Sequence, residues 1–353
     1  MEANPSSAGK IAEKSTHEFS GIAVLTGSAA TLGSRLVPSE EVDRAFGMPP
    51  GKLRERAGIE SLRYATEDQN EATLGTAAMR QALEPAQCDR KEIDWVIASS
   101  ETHREYPSLA AQLHKSLELR ENCGALDVGG ACLGLLHALA VGQSFIESGR
   151  ARTIGIVTAD VHSRRLAPGR VAGEFGGLFG DGASAFVLRA HSGELNRGAY
   201  RMGKFVFGCA SQYAEAIRVR DERDGGLEVH FDGDALSRAA ITRMERVIGE
   251  VEGSSGIPRA EVGAFATHQP NPRLVTLLAK QCNVPAGSFP AVARTAGNLG
   301  SSTCGVALHL ALETASRLEP SKRKAIFVAS LGPGLLFGGG WLAVGATAES
   351  VKL

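Results

Sequence analysis

The feature of this 353-residue chain that most restricts its fold is an alternation of short apolar runs with segments that carry apolar residues at helical spacing, and the plan occurs twice. In the first half, GIAVLTGS (21–28), IDWVIASS (93–100), CGALDVG (123–129), TIGIVTAD (153–160) and GASAFVLRA (182–190) read as strands. NEATLGTAAMRQAL (70–83), PSLAAQLHKSLEL (107–119) and CLGLLHALAVGQSFIESG (132–149) read as the helices between them. The second half has helices at 234–251, 272–282 and 301–318, and strands at 261–269, 324–332 and 339–346. Half-apolar strands and helices bury their apolar faces against one another, so the pattern predicts an α/β layer architecture. Two similar halves are expected, 21–195 and 196–353, after a loose tail over 1–20. The charged, glycine-broken stretch 198–233 reads as an excursion over the surface, placed at a substrate entrance.

Charge and cysteine usage narrow the function classes. Lys and Arg number 38 against 39 Asp and Glu, which lacks the basic field of a dedicated nucleic-acid binder. No run approaches the roughly 20 apolar residues of a membrane span, and the start of the chain has no apolar core of signal-peptide length. A cytoplasmic protein is expected. The cysteines at 88, 123, 132, 209, 282 and 304 show no CxxC spacing, so neither a disulfide scaffold nor a metal site is expected. The 42 glycines cluster at strand ends, but none leads into GK[ST] and no GxGxxG joins a strand to a helix.

Three residues remain as candidates for chemistry. Cys132 follows Gly129 and Gly130 after one strand and opens a helix, where amide dipoles are expected to favour the thiolate. A nucleophilic thiol needs a proton acceptor or hydrogen-bond partner, and His268, at a strand end in FATHQPNPRL, is the obvious one. Asn298, among glycines in TAGNLGSST, supplies an uncharged donor suited to an enolate or thioester oxyanion. Taken singly, each has a plain alternative: a packed core thiol, a helix-capping histidine, a turn asparagine.

The order of motifs carries more. RERAGIESLRYA (54–65), DVGGACLGLLHAL (127–139), LFGDGASAFVL (178–188), THQPN (267–271), GNLGSST (297–303) and SLGPGLLFGGG (330–340) together resemble ketoacyl synthase III of the thiolase superfamily, with its polyketide relatives, over nearly the whole chain beyond the tail. That resemblance implies a thiolase-like duplicated αβαβα five-layer fold and a homodimer. It implies that Cys132 accepts an acyl group from a CoA or acyl-carrier-protein thioester, with no other cofactor. His268 and Asn298 would hold the carbonyl of a malonyl- or β-ketoacyl-thioester for Claisen condensation, in polyketide or specialised lipid synthesis, including the joining of two chains into a pyrone. The amides of Cys132 and Gly334 would form the oxyanion hole. The alternative within the same fold is transfer of the Cys132-bound acyl group to a hydroxyl or amine.

Departures from the family pattern are visible. Lys52 stands where initiating members carry a tryptophan against the CoA adenine, which favours a carrier protein as the main donor. Arg56 and Arg170 match the family's entrance arginines, and with Arg164, Arg165 and Lys204 they offer charge for a phosphopantetheine phosphate or an acidic carrier helix. Arg104 and Glu105 make the 99–110 loop more charged than is usual. Phe205, Phe207, Phe231 and Phe289 are candidates for the wall of an acyl tunnel.

Overall fold

The computed structural model describes residues 21–344, apart from 172, 194, 196–197, 224–225 and 320–323. The tail expected over 1–20 therefore lies outside the described residues. Ten strands form one mixed sheet. Its order from one edge is Ala264–Thr267, Ile326–Gly332, Leu336–Ala343, Tyr200–Met202, Ile22–Leu32, Asp181–His191, Thr153–Val161, Trp95–Ser99 and Gly124–Asp127, with Val206–Cys209 paired to Leu336–Ala343. All nine residues of Thr153–Val161 are buried, which explains why the apolar stretch Ile154–Val157 runs without polar alternation.

The helices sort into three layers. Gly134–Glu147 and Ser302–Ser316 lie between the two parts of the sheet and share one core with both, in which Leu136, Leu139, Ile156, Leu308 and Val328 are fully buried. Shortening any of these leucines to alanine is worth about 2–5 kcal/mol by the usual cost of a core truncation. Glu71–Leu83 and Leu109–Ser116 cover the outer face of the first part, and Gly233–Ser255 and Pro272–Gln281 cover that of the second. The succession helix, sheet, helix, sheet, helix is the five-layer arrangement.

Element ends differ from the sequence reading for physical reasons. The helix expected over 107–119 runs only from Leu109 to Ser116: Ser108 caps it and the Asp127 carboxylate accepts from the Leu109 and Ala110 amides, at 3.0 and 2.7 Å. The last strand is Leu336–Ala343, starting earlier than the expected 339, directly after the turn Pro333–Leu335. The stretch 198–233 is not one excursion. Tyr200–Met202 and Val206–Cys209 join the main sheet, with Tyr200 and Met202 buried on alternate positions. Only the hairpin Ile217–Asp221 with Leu227–Phe231 stands apart from it as a separate two-stranded sheet.

Candidate active site

Cys132 sits on a turn that few sequences adopt. The strand Gly124–Asp127 ends, Gly130 takes φ 134° and Ala131 φ 49°, and a short 3-10 turn, Ala131–Leu133, leads into the helix Gly134–Glu147. A left-handed alanine stores strain on the order of 1–3 kcal/mol and persists only where its surroundings enforce it. Here Ser330 Oγ donates to the Cys132 carbonyl at 2.6 Å, and Gly332 packs on the turn so closely that a Cβ there would lie 3.0 Å from the Gly130 oxygen. The thiol is 7% exposed.

Its protonation state differs from the sequence expectation. The Cys132 pKa is raised well above the usual thiol value by burial and by the neighbouring Glu101 carboxylate. The sign follows from magnitudes: a helix start contributes roughly one kcal/mol, under one pKa unit, whereas burial shifts a pKa by up to about 3–5 units. The resting sulfur is a neutral thiol that must lose its proton to react.

The groups around that sulfur come from three strand ends. Asp160, near the end of Thr153–Val161, accepts from Ser100 Oγ at 3.1 Å and from the Glu101 and Thr102 amides at 2.6 and 3.3 Å. Its other oxygen accepts from the Ser301 amide and hydroxyl, at 2.8 and 2.6 Å. Asp160 thus ties the loop after Trp95–Ser99 to the segment that carries Asn298. Burial is the main cause lifting its carboxyl to about 6. Glu101, positioned by that clamp, faces His162 Nε2 at 3.5 Å. Although burial works against both charges, their pairing keeps the Glu101 pKa below and the His162 pKa above the ordinary value. The Glu101 carboxylate lies within the electrostatic reach of both Cys132 and His268. Glu101 Oε1 finds no partner of ordinary hydrogen-bond geometry, while the carboxylate interacts directly with the Cys132 thiol.

His268 follows the strand Ala264–Thr267, its amide donating to the Ala329 carbonyl at 3.1 Å. It is 5% exposed, and burial drops its pKa to about 4, so the ring is neutral at physiological pH. Asn298 is equally buried, and its Oδ1 accepts from the Gly300 amide at 3.0 Å and from Thr303 Oγ1 at 3.1 Å. A backbone N–H can only donate, so the atom it meets is the amide oxygen, and Asn298 Nδ2 is left as the donor.

A cavity of about 390 Å³ has Glu101, Ala131, His162, Phe175, Phe179 and Pro333 on its wall. It opens the Cys132 turn toward the hairpin, whose Ile217 and Val219 also line it. His268 opens instead on a crevice of about 30 Å³ beside Leu274 and Leu331. A larger cavity, about 690 Å³, lies between Ser28, Tyr200 and His309 and holds none of these groups on its wall.

The remaining sequence candidates fall at various distances from this chemistry. Gly334 is on the Pro333–Leu335 turn at φ 80°, but the glycine packed against the Cys132 amide is Gly332. Lys52 pairs with Glu174 at 3.1 Å, and Arg56 is exposed on the turn Leu53–Ala57. Arg170 lies 3.8 Å from Asp221, which Arg104 and Arg165 also contact, each at 3.1 Å. Three guanidiniums thus share one carboxylate at the cavity rim, where Arg104 and Arg165 line the wall. Lys204 is exposed, and Phe207 is 45% exposed beside His137, outside the cavity lining. Phe289 stacks on Phe265 within the core. The aromatic rings on the cavity wall are Phe175 and Phe179, the latter stacked on His162 with centroids 4.6 Å apart.

Sequence reasoning missed Glu101, Asp160 and His162. The available signal was the position of two carboxylates and an imidazole directly at the ends of apolar strands, where an α/β fold gathers its chemistry. Among the described residues no group of three or more His, Cys, Asp or Glu side chains is arranged to hold a metal ion, and no helix is long and apolar enough to cross a membrane.

A five-layer duplicated α/β fold with a buried thiol on a strained turn before an inner helix defines the condensing-enzyme class of the thiolase superfamily. The comparisons agree. The 3-oxoacyl-(acyl-carrier-protein) synthase III family matches residues 126–209, and its C-terminal domain matches 253–344. The β-ketoacyl-(acyl-carrier-protein) synthase III of Haemophilus ducreyi is 30% identical over 292 residues, 81% of this chain and 86% of that protein. The chain belongs to the β-ketoacyl-acyl-carrier-protein synthase III family. The fold is shared with 3-oxoacyl-(acyl-carrier-protein) synthase III from Aquifex aeolicus, at TM-score 0.80 and 24% identity over 91% of this chain and 99% of that one. It is also shared with the priming β-ketosynthase of the R1128 polyketide pathway, at TM-score 0.79 and 24% identity over 92% and 97%.

Proposed function

We propose that this condensing enzyme stores an acyl group as a thioester on Cys132 and transfers it to the α-carbon of a second thioester, a malonyl or β-ketoacyl group. CoA or an acyl carrier protein would carry the substrates, in polyketide or specialised lipid synthesis, with pyrone formation as one fate of two joined chains. The observation that carries this reading is the state of the three side chains: a neutral buried thiol, an imidazole neutral at physiological pH, and an amide whose oxygen is already occupied. Neutral His268 and Asn298 Nδ2 would donate to a carbonyl oxygen that becomes an enolate, and two uncharged donors stabilise that charge without competing anions. The Cys132 amide, with that of Gly334, would receive the oxyanion of acyl transfer.

The arginines around Asp221 carry more positive than negative charge and suit a pantetheine phosphate or an acidic carrier surface. Because Lys52 is engaged by Glu174, it is a weaker candidate for that contact. A homodimer and the division into halves at 195/196 belong to the same proposal. The direct test is Asn298→Ala, with acyl loading followed by intact mass and condensation followed by product formation. Loading close to that of the parent with condensation slowed about 10²-fold or more supports the role; equal slowing of both steps opposes it.

A further inference from the structure

Two fixed positive charges, Arg104 and Arg165, stand among the described residues on the wall of the cavity beside the Cys132 turn. The carboxylate on the same wall, Glu101, is already faced by His162 at 3.5 Å. Both guanidiniums reach instead to the hairpin, where Arg104 Nη1 and Arg165 Nη2 each donate to Asp221 Oδ2 at 3.1 Å. A guanidinium has N–H donors on three nitrogens, and each of these two uses one nitrogen there. The Arg165 side chain is 14% exposed, whereas that of Asp221 is 48% exposed. A half-exposed carboxylate held by single contacts is a weak partner for a largely buried cation. The remaining Arg165 donors suit a second carboxylate arriving from the cavity.

The course of the hairpin shows where that carboxylate comes from. The turn Ser211–Ala216 packs on Pro333–Leu335, and the Ala210 amide donates to the Leu335 carbonyl at 3.0 Å. Gly332, next to Pro333, packs on the Cys132 turn, so the strand Ile217–Asp221 starts at the thiol end of the cavity. Ile217, Val219 and Asp221 share one face of that strand, which lays two apolar side chains and then the arginine-bound carboxylate along the wall. Four residues of strand span about 13 Å. Phe175 and Phe179 complete the apolar stretch, so a methylene chain that starts on Cys132 ends at the arginines.

On the reading that Cys132 carries the acyl group, we infer that this group bears a free carboxylate at its far end, which binds Arg165 and Arg104 in competition with Asp221. A malonyl acceptor does not supply this anion. Its carboxylate leaves from the enolate carbon, held with His268 and Asn298, and neither of those is on this wall. A pantetheine phosphate travels with the donor and not with the acyl chain, and Arg170, 36% exposed and off the lining, is placed for it. In loading, the Cys132 sulfur bonds to the thioester carbon, the bond from that carbon to the donor sulfur breaks, and the thiol proton leaves on the donor thiol. The far carboxylate takes no part in these bond changes and sets which chain is accepted.

The test uses the full chain and N-acetylcysteamine thioesters, which carry no phosphate. Glutaryl, adipoyl, pimeloyl and suberoyl donors are each compared with their own methyl ester, and the second-order rate of Cys132 acylation is followed by intact mass. At least one free acid is expected to load about tenfold or more faster than its ester. Arg165→Gln should bring that ratio to about one, and Arg165→Lys, which keeps the charge and loses the fork, should give an intermediate value. Asp221→Asn removes the competing carboxylate and should raise the ratio; it serves if neither Arg165 variant folds, and an unchanged ratio there counts against the inference. Ratios at or below one across the parent series, or a preference that Arg165→Gln leaves intact, overturn the inference while Cys132 loading, and the parent reading with it, stands. So does an Arg165→Gln loss seen with CoA donors and absent from the N-acetylcysteamine ratio, which assigns the guanidinium to the phosphate. Failure of every acyl thioester to load Cys132 removes the parent reading and this inference together.

Discussion

The Glu101 Oε2 and His162 Nε2 atoms face each other at 3.5 Å, inside the cavity wall and beside the Cys132 thiol. Each sits on a strand end of the same sheet half, and each has its charged form favoured by the other against the cost of burial. The pair also meets Asp160, Asp181 and His268, so its removal is felt across the whole cluster.

Replacing His162 by glutamine should leave Glu101 as an uncompensated buried charge, at a cost of about 3–5 kcal/mol. The pH window follows from the two directions. Glu101, lowered from 4.5, contributes stability above that value and loses it as the pH falls through its folded pKa. His162, raised from 6.5, contributes stability below that value and loses it as the pH rises through its folded pKa. The stability difference between parent and His162→Gln, measured by urea unfolding, should therefore be largest between these two pH values and shrink on either side.

His268 has the opposite sign from His162. Buried neutral with a pKa near 4 against 6.5 unfolded, it costs stability as the pH falls from 6.5 to 4, because only the unfolded chain takes up its proton there. The shift corresponds to about 3 kcal/mol at the acid end. His268→Gln should flatten the pH dependence of unfolding in that interval. Urea titrations at a series of pH values on both proteins check it.

Thr303 is expected to act through Asn298. Its hydroxyl donates to Asn298 Oδ1 at 3.1 Å and accepts from the Leu299 amide at 2.8 Å. Thr303→Val breaks both bonds, should cost about 1–3 kcal/mol, and should slow condensation while leaving acyl loading near the parent rate. Thr303→Ser should restore the rate, an outcome that a general packing defect would not give.

Gly300 holds His162 in place by having no side chain. At φ +57° a Cβ would meet His162 Cε1 at 2.3 Å and Asp160 Oδ2 at 2.9 Å. Gly300→Ala is expected to lower stability by more than about 1 kcal/mol and to reduce condensation, checked by urea unfolding and product formation.

The layered fold and the cysteine, histidine and asparagine candidates were legible because each leaves a local mark. Thr153–Val161 is a strand because nine consecutive residues suit burial on both faces, and Cys132 stands out because two glycines precede it at a strand-to-helix junction. The Glu101–His162 pair leaves no such mark. Glu101 lies in the 99–110 loop, where Arg104 and Glu105 stand out by their charge. Arg104 proves to be a rim residue paired with Asp221, and Glu105 is exposed. What makes Glu101 matter is the Asp160 clamp, 59 residues away in the chain, which no local pattern encodes. The raised pKa of the thiol is hidden for a related reason: a helix start is visible in sequence, whereas the burial and carboxylate that outweigh it are tertiary.

Acyl labelling of Cys132 is the measurement closest to the centre. After incubation with an acyl-CoA, intact-protein mass and peptide mapping are expected to place a single acyl group on Cys132, absent in Cys132→Ala and present in Cys123→Ala. An adduct that survives Cys132→Ala, or labelling that is the same in both variants, would contradict the assignment of the nucleophile.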